Sequence, residues 1–140
     1  YRLLPSDASP LGRRRSVTWQ EVAQTPLCLL TPDMQNRRIL DRKLRAAGAD
    51  TAPTLQSNSM VLLFSHVRTG RWSSIMPAVL AETMGLSAPI RVVPIEDEEA
   101  PPTIGLVYPA REPLPPLTAA LVTEARRLSR RWADPAPAPR

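Results

Sequence analysis

The chain is poor in the residues from which most chemical sites are built. Its 140 residues include one cysteine, Cys28, one histidine, His66, and one lysine, Lys43. A single cysteine excludes an intrachain disulfide, and a lone Cys–His pair excludes a closed Cys/His zinc site. The expectation is a domain without metal or cofactor in a reducing compartment, the cytoplasm. Glycine is scarce, at 5 residues, and the patterns GxGxxG, GxxxxGK[ST], HExxH and GxSxG are all missing. Long apolar runs are missing too. The longest clean window, Met60–Phe64, falls far short of the roughly 18–20 residues of a membrane span. The first residue is Tyr1, with no charged and then apolar leader after it, so no signal peptide is expected.

What is present suits one ordinary globular domain. Hydrophobic residues make up 43% and charged residues 22%, enough apolar material for a core. Proline is the excess, at 17 residues, with late clusters that include Pro113, Pro115, Pro116 and Pro135. The net charge is +5, and 17 of the 18 cations are arginine. Arg13–Arg15 and the group Arg126, Arg127, Arg130, Arg131 hold most of the excess. Between Ser16 and Ala125 the balance is 9 cations to 11 carboxylates. A DNA-reading domain concentrates cations on its working face, whereas this centre is slightly acidic, so direct DNA binding is not expected.

Periodicity and punctuation give an alternating order of elements. Tyr1–Pro5 is a short apolar opening segment and Ser6–Arg15 an exposed loop. Thr18 and Glu21 match a capping box, which predicts a helix over Trp19–Gln24. Pro26–Thr31 (PLCLLT) is an unbroken apolar run that reads as a buried parallel strand. Asp33 reads as the N-cap or a first-turn acid of a helix over Met34–Ala47, with Asp41 paired to Arg45 and Gly48 as the stop. Strands follow at Thr54–Gln56, Trp72–Met76, Ile90–Ile95 and Thr103–Tyr108. Helices follow at Met60–Arg68, capped by Asn58 or Ser59, at Ala78–Met84 and at Leu117–Arg131. Glu96–Pro102 reads as a solvated acidic turn and residues 132–140 as a disordered tail. The alternation implies an α/β fold with a mainly parallel sheet of about five strands and flanking helices.

No nucleophile or acid–base constellation emerges. Cys28 lies in a buried strand, where it acts as a small hydrophobe, and His66 sits in an apolar helix. The chemistry that remains is at strand-to-helix junctions, where free N–H groups and the helix dipole meet a ligand beyond the carboxyl ends of parallel strands. The first junction holds Thr31, Met34, Gln35 and Asn36, and the second Asn58. Ser73 and Ser74 are polar residues set into an otherwise apolar strand. Together these seven form the candidate ligand site, suited to a small polar ligand, with no catalytic or metal residues.

At these residues the chain resembles the effector-binding domain of LysR-type transcriptional regulators, from about Tyr1 to Leu128. Trp19–Gln24 followed by Pro26–Leu30 is similar to the family's short helix and next strand, and Thr31–Asp41 to its strand-to-helix loop and helix. Ser57–Met60 and Val67–Pro77 resemble its "S…VaaGlGiallP" segment, with Gly70 and Pro77 at the fixed Gly and Pro. Trp72 stands for the second Gly, and Ser73 and Ser74 for apolar residues. Thr103–Tyr108 and the helix after it resemble the return to the first subdomain.

The resemblance implies a two-lobed fold like that of periplasmic binding proteins. Residues 1–102 would be the second subdomain, opened by a crossover strand at 1–5, and residues 103–131 the last strand and helix of the first. It implies a sensor of a small anionic effector, not an enzyme, that controls DNA binding through an N-terminal winged helix-turn-helix outside these residues. It also implies a homo-oligomer, dimer or tetramer, joined through effector domains. Met60–Arg68 is apolar almost all round and is the candidate contact helix. The alternatives are a transporter's solute-binding protein with the same two lobes, and a small enzyme on this fold.

Overall fold

The fold comes from a computed structural model and is described for residues 1–49, 53–97, 99 and 105–133, the side chains of 131–133 excepted. Two compact units divide the chain, Tyr1–Ala100 and Pro101–Arg140.

In the first unit three strand–helix steps follow one another. They are β2 (Cys28–Leu30) into α2 (Gln35–Ala46), β3 (Leu55–Ser57) into α3 (Met60–Arg68), and β4 (Ser74–Met76) into α4 (Ala78–Thr83). A helical crossover returns the chain in the same direction. So β2 and β3 pair in parallel, Cys28 opposite Leu55 and Leu30 opposite Ser57. A parallel bridge between Leu27 and Ser73 brings β2 alongside β4, through Cys28 N–H to the Ser73 carbonyl and Ser73 N–H to the Pro26 carbonyl, both 2.9 Å. The opening segment is itself a strand, β1 (Arg2–Leu4), and it runs antiparallel to both β4 and β5 (Val93–Pro94). The expectation of a mainly parallel sheet therefore needs correcting: among the described residues, two of the three strand pairings are antiparallel. No local signal in Tyr1–Pro5 fixes the direction in which β1 meets β4 and β5.

The side-chain alternation of these strands builds two cores, one on each face of the sheet. Leu3, Leu27, Leu29 and Ile75 join Trp19 and Val22 of α1 (Trp19–Ala23) and Leu40 and Leu44 of α2. Leu4, Cys28, Leu30 and Met76 join Leu63 and Val67 of α3 and Ala81 of α4. This double burial is why Pro26–Thr31 is an unbroken apolar run rather than an alternating one.

Local chemistry fixes the helix ends. Thr18 Oγ1 accepts from Glu21 N–H at 3.2 Å and Glu21 Oε2 from Thr18 N–H at 2.8 Å, the capping box expected from the sequence. Ser59 caps α3, its hydroxyl accepting from Leu62 N–H. Gly70 follows α3 at φ +79°, a conformation that favours glycine. Asp33 does not cap α2; Met34 occupies that position and provides no side-chain bond. Asp41 pairs backwards with Arg37, at 2.7 Å, not forwards with Arg45. Within the loop after β1, Pro10–Arg13 forms a turn of 3-10 helix and Ser6 is buried.

The second unit is described from Gly105. Residues 103 and 104 lie outside the described residues, and Gly105–Tyr108 form no strand, contrary to expectation. Leu106, Val107 and Tyr108 are exposed. An apolar segment becomes a strand only where it finds a neighbour to bond. α5 (Pro116–Ala133) follows. Its stripe of Leu117, Leu121 and Leu128 lies exposed, Leu117 at 84%, while Val122 is buried. The tail at 134–140 lies outside the described residues.

Candidate functional site

The three strand-to-helix steps bring their junctions together beyond the carboxyl ends of β2 and β4. A recess of about 200 Å³ opens there. Its exposed lining is almost wholly apolar, from Leu30, Met60, Leu63, Phe64, Met76 and Leu80, with Asn36 and Ser74 the polar side chains that border it. The N-termini of α2, α3 and α4 stand around it, carried by Asn36, Met60 and Pro77. No side chain caps α2 or α4, which leaves first-turn N–H groups for water or a ligand.

Of the seven residues singled out from sequence, Asn36 and Ser74 line this recess. Met34 packs on the core beneath it, against the cluster of Leu30 and Leu63. Gln35 and Asn58 are exposed at the first turn of α2 and before α3. Thr31 follows β2, its hydroxyl shielded from solvent and without a well-formed hydrogen bond among the described residues. That hydroxyl stands close enough to hold the Asp33 carboxyl below its usual range. Ser73 points away: it lines a separate depression with Gly70, Trp72 and Pro26. Strand alternation sends neighbours to opposite sides, so one of the two serines had to miss the recess. The apolar walls went unnoticed in the sequence, although Met76–Pro77 is a third strand-to-helix junction of the same kind as the first two.

Arg37 is the buried cation of the site, 5% exposed. Its Nη1 donates to the Leu30 carbonyl at 2.6 Å and to Gln56 Oε1 at 3.3 Å, and its Nε to Asp41 at 2.7 Å. One side chain thus fastens the ends of β2 and β3 to α2. Sequence alone gave no reason to separate it from the exposed Arg38.

Lys43 is the second buried cation. Its Nζ lies 2.7 Å from Asp97 and 2.8 Å from Glu99, and 5.8 Å from the Trp19 ring centre. The acidic turn is therefore anchored, not merely solvated. Burial alone would push the Asp97 carboxyl up; the hydrogen bond and charge of Lys43 outweigh it and hold the group below 3.8. Burial alone would pull Lys43 down; its two carboxylates outweigh that and raise it above 10.5. The depressed Asp97 contributes stability above pH 3.8 that is lost as pH falls through its lowered value. The raised Lys43 contributes stability below pH 10.5 that is lost as pH rises through its raised value. The expected result is that Lys43→Met flattens both limbs of the stability–pH profile, read from urea midpoints across that range. Parallel profiles for the two proteins would contradict the assignment.

Cys28 is fully buried, its thiol donating to the Leu63 carbonyl, and burial pushes its pKa up to about 11. A thiol reagent at neutral pH should therefore label it only as fast as the domain opens. Rapid labelling of the folded chain would contradict this. His66 is half-buried, edge-on to Trp72 at 5.2 Å, which is a packing role. Among the described residues there is no group of His, Cys, Asp and Glu placed to hold a metal, and no helix long and apolar enough to cross a membrane.

With this geometry in place, comparison with known proteins is informative. Among the solved structures similar to this chain are three that share its fold over about 70% of its length. The effector-binding domain of QuiR, in complex with shikimate, has a TM-score of 0.60 at 14% identity, covering 71% of this chain and 46% of that one. The reduced OxyR regulatory domain of Pseudomonas aeruginosa has 0.55 at 20% identity, covering 69% and 46%. HinK, a LysR family transcriptional regulator of Pseudomonas aeruginosa, has 0.53 at 16% identity, covering 74% and 35%. At these identities the likeness is one of fold, and the chain spans less than half the length of each. No curated protein sequence matches. The model of the LysR substrate binding domain matches residues 1–130; the chain belongs to the LysR substrate-binding domain family.

Proposed function

We propose that the chain is the effector-sensing part of a LysR-type transcriptional regulator and that its recess receives the effector. The observation that carries the reading is the recess itself, apolar in its walls, bordered by Asn36 and Ser74, and lying at the uncapped N-terminus of α2. Its volume suits a body the size of one small ring, since a cavity of about 150 Å³ holds benzene. The first-turn N–H groups of α2 suit a carboxylate on that body. The effector is thus a small ring or branched chain bearing one anionic group. The sheet, with α1 and α2 on one face and α3 and α4 on the other, would be one lobe of a two-lobed domain. β1 and the segment after Ile95 would cross to the other lobe, and α5 would belong there. DNA would be bound by a separate N-terminal domain. The family match favours this over a transporter's solute-binding protein, and the recess holds no acid–base pair for an enzyme.

α3 supports an oligomer. Leu63 and Val67 are buried, but Val61 is 73% and Leu62 46% exposed, an apolar second face. This face would meet another subunit.

The test is thermal denaturation with benzoate, cyclohexanecarboxylate and the uncharged benzyl alcohol. A carboxylate at a hundredfold excess over its Kd should add about 2.7 kcal/mol, a shift of several degrees, with less from the alcohol. Ser74→Leu, which fills the recess, should abolish the shift. An equal shift for alcohol and acid would overturn the anionic reading, and a shift that survives Ser74→Leu would overturn the recess.

A further inference from the structure

One face of α2 carries two gripping groups, Asn36 and Lys43, about two helical turns apart. At the recess end Asn36 Oδ1 accepts from the Tyr1 hydroxyl at 3.1 Å. At the far end Lys43 holds Asp97 and Glu99. The rings between them are continuous: Tyr1 meets Trp19 edge-on at 5.9 Å, and Lys43 lies 5.8 Å from the centre of the Trp19 ring. Tyr1 leads into β1. Asp97 and Glu99 follow the last bridge of the unit, Val17–Ile95, just before its boundary. The two segments also touch directly, Ile95 N–H donating to the Tyr1 carbonyl at 3.2 Å.

We infer that α2 is the coupling element of the domain, Asn36 and Lys43 acting as positioning residues that grip both the segment leading into the unit and the segment leading out of it. The inference rests on the reading of the recess as the ligand site. Asn36 faces both ways: it lines the recess and it holds Tyr1. A carboxylate ligand takes the Asn36 Nδ2–H donors, and turning the carboxamide to meet it draws Oδ1 away from the Tyr1 hydroxyl. Release of Tyr1 loosens its ring against Trp19, and Trp19 is the surface on which Lys43 rests. The bistable element is the Tyr1 hydroxyl, bonded or released. Coupling of this kind is reciprocal, so a change at the Lys43 end must be felt at Asn36. A purely structural role for these residues predicts only local effects.

The experiment needs no ligand, so it can fail while the ligand reading stands, and the reverse. It follows two NMR signals in the full chain: the protonation midpoint of the Asp97 carboxyl and the side-chain amide resonances of Asn36. Tyr1→Phe removes only a hydroxyl from a half-buried ring, and the folded spectrum is expected to persist. It should weaken Lys43's hold, raising the proton affinity of Asp97 at least twofold. Lys43→Met should in turn shift the Asn36 amide signals; if that variant does not fold, Asp97→Asn serves in its place. Reciprocal effects support the inference. An Asp97 midpoint unchanged in Tyr1→Phe, or Asn36 signals unmoved by the change at Lys43 or Asp97, would overturn it.

Discussion

Replacing Leu3 and Leu4 together with alanine is expected to take about 6 kcal/mol, a large share of the stability of the first unit. Both side chains are fully buried, yet they belong to different cores: Leu3 packs with Trp19, Leu29 and Leu40, and Leu4 with Cys28, Leu63 and Met76. Each truncation removes a full leucine side chain from β1, which is flanked by strands on both edges, so neither site can collapse easily. The expected cost is about 3 kcal/mol for each. The two sites share no side-chain partners across the sheet, so the losses should add, to about 6 kcal/mol. A domain of this size has roughly 5–15 kcal/mol in total. Urea denaturation of the two single variants and of the pair checks this. A double variant no less stable than the worse single one would show that β1 is not the shared centre of two cores.

Replacing Arg37 with methionine is expected to cost about 3 kcal/mol. Methionine fills much of the volume, so little of this is cavity. The loss comes from stranding the Leu30 carbonyl and the Asp41 carboxylate, both held by a guanidinium that is 5% exposed. Breaking a buried ion pair costs roughly 3–5 kcal/mol; the lower end applies because the Asp41 side chain is 25% exposed. Lysine keeps the charge but lacks the planar fork that reaches Leu30, Gln56 and Asp41 at once. Arg37→Lys should therefore recover less than half of the loss. Because Leu30 and Asn36 line the recess on either side of Arg37, the methionine variant should also bind carboxylates less tightly than its stability loss alone explains. Denaturation of both variants decides the first point and titration with benzoate the second. Full recovery by lysine would reduce Arg37 to a simple point charge.

The helices and most strands were legible because their signals are local. The capping box at Thr18 and Glu21, the Ser59 cap and the glycine at 70 act within one turn, and each stands where the sequence puts it. The resemblance implied a strand at 1–5, but its antiparallel pairings were not legible, because Tyr1–Pro5 carries no information about which strands it will meet. Thr103–Tyr108 has the composition of a strand, and its described part, Gly105–Tyr108, is not one; pairing is a property of two segments, not of one. Two of the residues singled out, Asn36 for its strand-to-helix junction and Ser74 as a polar residue in an apolar strand, line the recess. Arg37 and Lys43 were missed because burial of a cation depends on acceptors distant in sequence, Leu30 and Gln56 for one, Asp97 and Glu99 for the other. The pairing of Asp41 with Arg37 rather than Arg45 has the same origin: Arg37 is drawn inward by the Leu30 carbonyl, and Asp41 follows it.

The most direct test of the effector-sensing reading is a two-dimensional amide NMR titration of the chain with benzoate, repeated with cyclohexanecarboxylate. The account predicts saturable shifts that are largest at Leu30, Asn36, Ser74 and Met76, around one recess, and small in α1 and along β5. Saturable shifts centred instead on the Trp19–Lys43 cluster or on the depression beside Ser73, or no saturable shift with either acid, would contradict it.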